Sequence, residues 1–396
     1  MRIRCTHGNP KVEMLDHLPT VPLLLDHWSG DILEQDILWI NHILRLHDRV
    51  CHIHLVLPPS ILDKVVVLLD EHFPILEHLS LTFPVTSLSS PPFTLPKAFL
   101  APNLRYLVLP ATSPPRRLRL LTSTVSLVTL ELRNIQISSY FRPGLLAARL
   151  RSLPQLKNLS IAFSTPILHP STERELLGEQ GSPVTLPSLE ILEFKGVGAY
   201  LDSLVAQIRA PFLRSLTVYL FNQIAFGLPH LFHLINVTEA FKPPKARVVF
   251  LQDSAHISTE GGARGAGFFL NVICKPFDWQ IDCVAQICHP LIPALSGVEK
   301  LGLGSFREIS ADDASGIDDA TWYDLLRSFI GVKELFIPGE LLEELSRALQ
   351  VDEVGLDPEF LPNLWSIVAT RNLFTSFIDS RQVLGRPVRF RRYLAS

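Results

Sequence analysis

Apolar residues recur along this chain in a short pattern that is repeated many times. In the stretch 186–221, Leu189, Leu192 and Phe194 follow the spacing L-x-x-L-x-L, and an amphipathic segment at 200–208 comes before the pattern restarts at Leu213. Side chains on a strand alternate between two faces, whereas those on a helix repeat about every 3.6 residues. The stretch therefore predicts a strand, a turn, a helix and then the next strand.

Copies of this unit extend over most of the chain. Most neighbouring copies are about 23 to 34 residues apart, which is the spacing of leucine-rich repeats. One strand and one helix cannot bury an apolar face alone, so stacked copies share a core. The sequence therefore predicts an α/β fold: a single irregular leucine-rich-repeat-like solenoid over 1–396, with a curved parallel sheet on one face and helices on the other. The first apolar positions of the copies are Val50, Leu76, Leu104, Leu127, Leu156, Leu189, Leu213, Val298, Val332 and Leu364.

The region at about 242–294 departs from the repeat and is interpreted as a less regular insertion. Its predicted elements are a strand at 248–251, a Gly-rich hairpin loop at 259–267, a returning strand at 268–274 and a helix at 280–291. Other helices are predicted at 31–46, 61–69, 144–153, 171–177, 200–208, 228–241, 322–329, 341–349 and 374–384, with a closing strand at 387–393.

The residues between the leucines of each copy are predicted to point to the concave face of the sheet, because side chains alternate along a strand. Such faces are where solenoid proteins usually bind partners. We therefore expect an unknown target protein to contact this face; the alternative is that it is only solvated or is covered by flanking segments. The predicted protein-binding residues are Tyr106, Glu131, Arg133, Asn158, Glu193, Lys195, Thr217, Tyr219, Lys300 and Glu334.

Composition narrows the classes of partner. Apolar residues make up 47% of the chain, yet no run approaches the about 20 apolar residues of a membrane span. The formal net charge of −3 disfavours nucleic acid, which would require a basic excess. A basic cluster at 386–392 is interpreted as a solvated tail, with anion binding or targeting as the alternative. We expect neither a nucleic-acid partner nor a membrane.

The cysteines and the N-terminus indicate a reducing compartment. Five cysteines in 396 residues are an odd count in a long chain, which disfavours a disulfide scaffold. The first residues contain no apolar signal segment. We expect a cytoplasmic or nuclear protein.

Two clusters could carry chemistry, and each has a simpler interpretation. His52 and His54 alternate on one strand face and could share a metal, but such sites need three or four ligands and no third is evident. Cys283, Cys288 and His289 could include a thiol nucleophile, but the two cysteines lie in an apolar helix and are interpreted as core residues.

Two loops resemble ligand sites only in part. The glycines at 261–267 lack the strand–turn–helix context of a dinucleotide site and the Lys of a P-loop. The acidic residues at 312–319 lack the alternating ligands and the closing Glu of a calcium loop. The sequence therefore predicts no catalytic residue, no metal and no cofactor, and a protein that is not an enzyme.

Several segments together resemble a large group of F-box and leucine-rich-repeat-like proteins from mushroom-forming fungi, and the similarity runs essentially end to end. The resemblance implies a repeat array that selects a target protein for a ubiquitin ligase, preceded by a short helical F-box that docks a Skp-type adaptor. Among the matching segments are FPILEHLSL at 73–81, APNLRYLVLP at 101–110, LPQLKNLSIAF at 153–163, CKPFDWQIDCVAQI at 274–287 and LLRSFIGVKELFI at 325–337.

This sequence departs from that family at its N-terminus. The opening MRIRCTHGNP is similar to the first strand that follows the F-box, and from this resemblance we expect that the sequence lacks the F-box itself. The stretch at 57–69 is similar to the start of an F-box, but a repeat strand follows it and we interpret it as a repeat helix.

The resulting hypothesis is a non-enzymatic protein-recognition module that resembles the substrate-binding part of an F-box ubiquitin-ligase receptor. A Skp-type adaptor is then a partner only if an F-box is present upstream. The alternatives are a hydrolase or transferase with an undetected site, and a truncated relic without a partner.

Overall fold

Strands and helices alternate along the chain in a mixed α/β fold. The structure is a computed structural model that describes residues 2–6, 14–15, 17, 20–28, 32–84, 95–110, 121, 124–136, 140–164, 182–221, 226–260, 266–306, 319–349 and 360–393. Two compact units share the elements: the first comprises 1–196 with 203–212, and the second comprises 197–202 with 213–396.

In the first unit, successive strands pair in parallel, each with the next, with a separate short pair beside them. The main strands are β1 (Ile3–Cys5), β2 (Leu23–His27), β3 (Val50–Val56), β4 (His78–Thr82), β5 (Tyr106–Pro110), β6 (Thr129–Ile135), β7 (Asn158–Phe163) and β9 (Ile191–Gly196). The short parallel pair consists of β8 (Val184–Thr185) and β10 (Ile208–Arg209).

The leucine spacing accounts for these parallel strands. The second apolar residue of each copy occupies the same register position on five neighbouring strands, and all five side chains are buried: Leu79, Leu107, Leu130, Leu159 and Leu192. Alternation then places the intervening residues on the opposite face of the strands. The predicted strands of the regular copies are thereby confirmed.

Helices of the first unit follow the apolar periodicity. In α1 (Glu34–Arg45), Trp39, Ile40, Ile43 and Leu44 form one buried face, and the Asp36 carboxylate accepts a hydrogen bond from the main-chain N–H of residue 33 at 3.0 Å. The other helices are α2 (Pro59–Val66), the 3₁₀ turn Val67–Leu69 and α3 (Pro143–Leu150). The helix predicted at 171–177 lies outside the described residues.

The second unit is parallel except at one strand. Its strands are β11 (Ser215–Phe221), β12 (Lys245–Phe250), β13 (Ser254–Glu260), β14 (Gly267–Ile273), β15 (Lys300–Ser305), β16 (Glu334–Ile337), β17 (Ser366–Ala369) and β18 (Arg389–Arg392). Their spatial order is β11-β14-β13-β12-β15-β16-β17-β18, and only β13 runs antiparallel to its two neighbours.

The strand β13 was not predicted, so the predicted pairing within 242–294 was wrong. The residues 268–274 do not return along β12; they belong to β14, which pairs with β13 and with β11. Ala255 and Ile257 are buried in β13, but the intervening residues are Ser and His, and this weak alternation does not resemble the leucine pattern. Most of the predicted Gly-rich loop, 261–265, lies outside the described residues.

Helices of the second unit match the remaining predictions to within a few residues at their ends. They are α4 (Gly198–Val205, which begins in this unit), α5 (Pro229–Val237), α6 (Phe277–Cys288), α7 (Ile292–Leu295), α8 (Asp319–Arg327), α9 (Leu342–Ala348) and α10 (Thr375–Val383), with 3₁₀ turns at Glu239–Phe241, His289–Leu291 and Gly339–Leu341. Trp322 of α8 packs edge-on against Phe250 of β12, with ring centroids 5.6 Å apart.

The carboxylate of Asp202 in α4 caps the start of α5. Its Oδ1 atom accepts hydrogen bonds from the main-chain N–H groups of His230 at 2.8 Å and Leu231 at 2.9 Å, and its Oδ2 atom lies 2.8 Å from the His230 ring. The first amides of a helix have no partner within the helix. Asp202 is buried, so these contacts are shielded from water.

We expect Asp202→Ala to lower the free energy of unfolding by about 2 kcal/mol, because it removes a buried N-terminal cap. Urea unfolding followed by circular dichroism measures the change. Asp282→Ala, at an exposed position of α6, is the control. If Asp202→Ala and Asp282→Ala lowered the free energy of unfolding equally, Asp202 would not act as a helix cap.

Candidate functional site

Every predicted binding residue lies away from the buried leucine rows. In the first unit Tyr106, Glu131 and Asn158 are half-buried, whereas Arg133, Glu193 and Lys195 are exposed. In the second unit, Thr217 and Glu334 are half-buried, and Tyr219 and Lys300 are exposed. The two units therefore each present part of the predicted surface.

Glu131 is the centre of a hydrogen-bonded group on the first unit. The Tyr106 hydroxyl donates to its Oε1 atom at 3.0 Å, and the Arg133 guanidinium donates to its Oε2 atom at 3.0 and 2.6 Å. Burial, followed by the Glu131 charge, raises the pKa of Tyr106 to about 12. Tyr106 therefore remains a protonated donor at neutral pH, and the three side chains hold fixed positions.

Two histidines that were not assigned to this surface from the sequence extend a row of stacked rings from Tyr106: His78 stacks on Tyr106, and His52 stacks on His78. The His78 ring lies 4.1 Å from the Tyr106 ring and 4.0 Å from the His52 ring, with interplanar angles of 5° and 15°. All three occupy one row of the strand register. The signal was present in the sequence: each residue comes two positions after the first apolar residue of its copy, after Val50, Leu76 and Leu104.

A second group surrounds the buried carboxylate of Asp26. The Arg4 guanidinium donates to it at 2.8 Å, the Trp28 indole N–H donates at 3.1 Å, and His54 Nδ1 lies 3.3 Å away. Trp28 also contacts the His54 ring edge-on at 4.3 Å and remains 62% exposed. Burial acts to raise the pKa of Asp26, but the hydrogen bond and charge of Arg4 outweigh it and hold the pKa below its usual value.

Burial keeps the stacked histidines neutral. It lowers the pKa of His78 to about 4, with smaller contributions from His52 and His54, and it also lowers the pKa of His52. Neutral imidazoles can stack without charge repulsion at pH 7. The row His52–His78–Tyr106 is therefore an uncharged aromatic strip beside the charged groups at Asp26 and Glu131.

The pKa of His78 makes folding acid-sensitive. The unfolded chain takes up a proton as the pH falls through about 6.5, but folded His78 does not until about pH 4, so stability is lost between those values. We expect His78→Phe, which retains an aromatic ring, to lose less stability between pH 7 and pH 5 than the wild type. Urea midpoints at both pH values measure this, and His72→Phe at an exposed position is the control. An unchanged pH dependence in His78→Phe would contradict the assignment.

The structure adds His78 and Asp26 to the neighbourhood of His52 and His54. Even so, within the part of the chain that the structure describes, no group of three His, Cys, Asp or Glu side chains is placed to hold a metal ion. The acidic residues at 312–318 lie outside the described residues.

The helical cysteines are buried, as the sequence indicated. The hydrogen bond with Cys274 and burial raise the pKa of Cys283, and burial raises the pKa of Cys288. His289 is exposed instead and lines a cleft of about 650 Å³ between the start of α5 and the helices α6 and α8. The floor of the cleft includes Phe232 and Ala285. The structure therefore does not place the Cys288 sulfur and the His289 ring in one accessible site.

We expect Cys283 and Cys288 to react slowly with a thiol reagent in the native protein and quickly in urea, because a buried thiol seldom forms the reactive thiolate. Mass spectrometry after timed alkylation measures each cysteine separately. Rapid native labelling of Cys288 would restore the possibility of a thiol-dependent enzyme.

Comparisons with protein-family models and with curated proteins give no match to this chain. None of the helices in the described residues has the length and apolar character required to cross a membrane.

Proposed function

We propose that this chain is a non-enzymatic protein-recognition module, built as an irregular leucine-rich-repeat-like solenoid, whose partner binds the strand face opposite the leucine rows. The observation that carries the proposal is the row His52–His78–Tyr106 with the adjoining Glu131 and Arg133. Ring stacking and the Tyr106–Glu131 hydrogen bond join side chains of neighbouring strands, and Arg133 binds Glu131 within its own strand, yet these side chains remain partly accessible. Fixed polar and aromatic groups bind with little loss of side-chain entropy.

The resemblance to F-box receptors extends this proposal to ubiquitin ligation. In that scheme the face selects a target, and a Skp-type adaptor binds only when an F-box is present upstream. Within 57–69, α2 and its 3₁₀ turn connect the parallel strands β3 and β4 and bury Leu62, Val65 and Leu69. These features support the interpretation of 57–69 as a repeat helix. A purified Skp-type adaptor is therefore expected not to bind this chain; binding would place the adaptor site within 57–69.

Site-specific photo-cross-linking tests the binding face. The photoreactive residue p-benzoylphenylalanine is placed at Glu193 or Tyr219 on the strand face and, as controls, at Leu38 or Val67, which are exposed on helices of the first unit. The chain is then irradiated in a lysate of a mushroom-forming fungus, the group to which the resemblance points. We expect discrete cross-linked proteins from the strand-face positions alone.

A matched pair of charge reversals identifies specific cross-links. Glu193→Lys changes the proposed face, and Asp63→Lys makes the same change on the exposed side of α2. We expect Glu193→Lys to reduce the cross-linked product and Asp63→Lys to leave it unchanged. The proposal is wrong if helix positions give the same products, or if no strand-face position gives a product.

A further inference from the structure

The strand face of the second unit carries an excess of positive charge. Five exposed cations lie on its register rows, namely Lys245, Arg247, Lys300, Arg389 and Arg391. Among the side chains that the structure describes on these rows, Glu334 is the one acidic group. These described side chains therefore carry a formal charge of about +4, whereas the whole chain carries −3. We call these five cations the basic face.

Part of this charge is not neutralised. Glu334 lies 2.8 Å from Lys300 and 3.5 Å from Arg391, so its single negative charge is shared between those two cations. Among the described residues, Lys245, Arg247 and Arg389 make no ion pair. Exposed cations held on neighbouring strands attract an anionic partner.

A gap in the side chains opens at the middle of this face. Gly302 of β15 lies between Arg247 of β12 and Phe336 of β16 in the strand register. A Cβ atom at Gly302 would meet nothing closer than the Arg247 side chain at 3.9 Å. Two strand spacings, roughly 9.5 Å, separate the backbones of β12 and β16 on either side of Gly302. By contrast, a Cβ atom at Gly304 would meet Val249 at 3.2 Å.

The walls of the gap suit a flat aromatic group. Phe336 is 43% exposed, and the Tyr393 ring lies edge-on to it with centroids 5.8 Å apart, which enlarges the apolar wall. The Arg247 side chain forms the opposite wall, and a guanidinium stacks well on aromatic rings. We call the space over Gly302, between Arg247 and Phe336, the Gly302 slot.

We propose that the second unit binds an acidic peptide segment of a partner protein, with an aromatic side chain of that segment in the Gly302 slot and its carboxylates on the basic face. The proposal rests on the proposed function, since it gives the chemistry of a partner on the strand face of the second unit. A nucleic acid would also supply anions and flat rings. The Glu334 carboxylate at the centre of the face and the chain's overall charge of −3 favour a peptide.

Selection from a phage-displayed library of random linear peptides, with the full chain as bait, tests the proposal. We expect the enriched peptides to combine an aromatic residue with flanking Asp or Glu. The strongest peptide is then synthesised with a fluorophore, and its affinity is measured by anisotropy. Enrichment of peptides without this composition, or no enrichment, would contradict the proposal.

Variants locate the peptide on the surface. Gly302→Val is expected to weaken binding by about tenfold, because the valine side chain occupies the slot, its Cβ atom meets nothing closer than 3.9 Å, and valine suits a strand. Arg247→Gln/Lys300→Gln is expected to weaken binding similarly. The control Arg45→Gln/Lys64→Gln removes the same charge from exposed positions on helices of the first unit and is expected to have no effect.

The remaining outcomes separate the two proposals. A single-stranded oligonucleotide with the same charge as the selected peptide is the competing ligand. If it binds as tightly as the peptide and Gly302→Val does not weaken its binding, the face attracts polyanions in general and the peptide proposal is wrong. If cross-linking finds partners at Glu193 but the acidic peptide does not bind, the recognition function remains and only the basic face is excluded. If cross-linking finds no partner at the strand face and the acidic peptide does not bind, the proposed recognition function is wrong as well.

Discussion

Replacing Leu216 with aspartate is expected to lower the free energy of unfolding by about 4 kcal/mol or more, and to leave much of the protein unfolded at 37 °C. Leu216 is fully buried in β11, where its register partner is Phe268 of β14. The substitution removes the buried leucine and places a carboxylate where water cannot reach it. A buried charge without a partner is among the most destabilising changes that one substitution can make.

The adjacent residue supplies the control. Thr217 lies one position later in β11 and is half-buried, because alternation turns it to the opposite face of the strand. Thr217→Asp is therefore expected to cost about 1 kcal/mol or less. Thermal unfolding by circular dichroism compares the two variants. Similar melting temperatures would mean that the assignment of Leu216 to the core side of β11 is wrong.

The same alternation explains how much of the fold the sequence revealed. A one-residue shift in register would exchange the buried and exposed sets, so the leucine spacing determines which side chains face the core. This is why Tyr106, Glu131 and Lys300 lie outside the core as predicted. The strand β13 was missed because Ala255 and Ile257 are its two buried apolar residues and its other positions are Ser, His, Thr and Glu, which do not resemble the pattern that defined its neighbours.

The sequence did not predict which side chains contact each other across neighbouring strands. His52 and His78 are separated by a helix and a turn, and their stacking becomes evident only when β3 and β4 are placed in register. The Gly302 slot has the same origin, because it requires Arg247 and Phe336 to lie on either side of a residue without a side chain. Sequence spacing identifies the face of a residue, whereas the neighbours across the sheet depend on loop lengths that vary from copy to copy.

The largest effect outside the leucine rows is expected at Arg381, which is 1% exposed in α10. Its guanidinium donates hydrogen bonds to four main-chain carbonyls: those of Phe360 at 3.2 Å, Leu361 at 3.1 Å, Pro362 at 3.3 Å and Leu364 at 3.3 Å. These carbonyls belong to the turn before β17, in which Leu361 has a positive φ of 42°. Such a backbone costs energy for a residue with a side chain, so the turn depends on Arg381 to retain its shape.

Arg381→Met is therefore expected to lower the free energy of unfolding by about 3 kcal/mol, because it removes the arginine donor from the buried carbonyls of Phe360 and Leu364. Arg381→Lys should recover only part of the loss, since one ammonium group cannot span the same four acceptors. Gln382→Met, at the next and exposed position of α10, is the control and should change stability by less than about 0.5 kcal/mol. Urea unfolding measures all three. If Arg381→Met were as stable as Gln382→Met, the carbonyls of the turn would not need this donor, and the turn would be held by the packing of Phe360 and Leu364 alone.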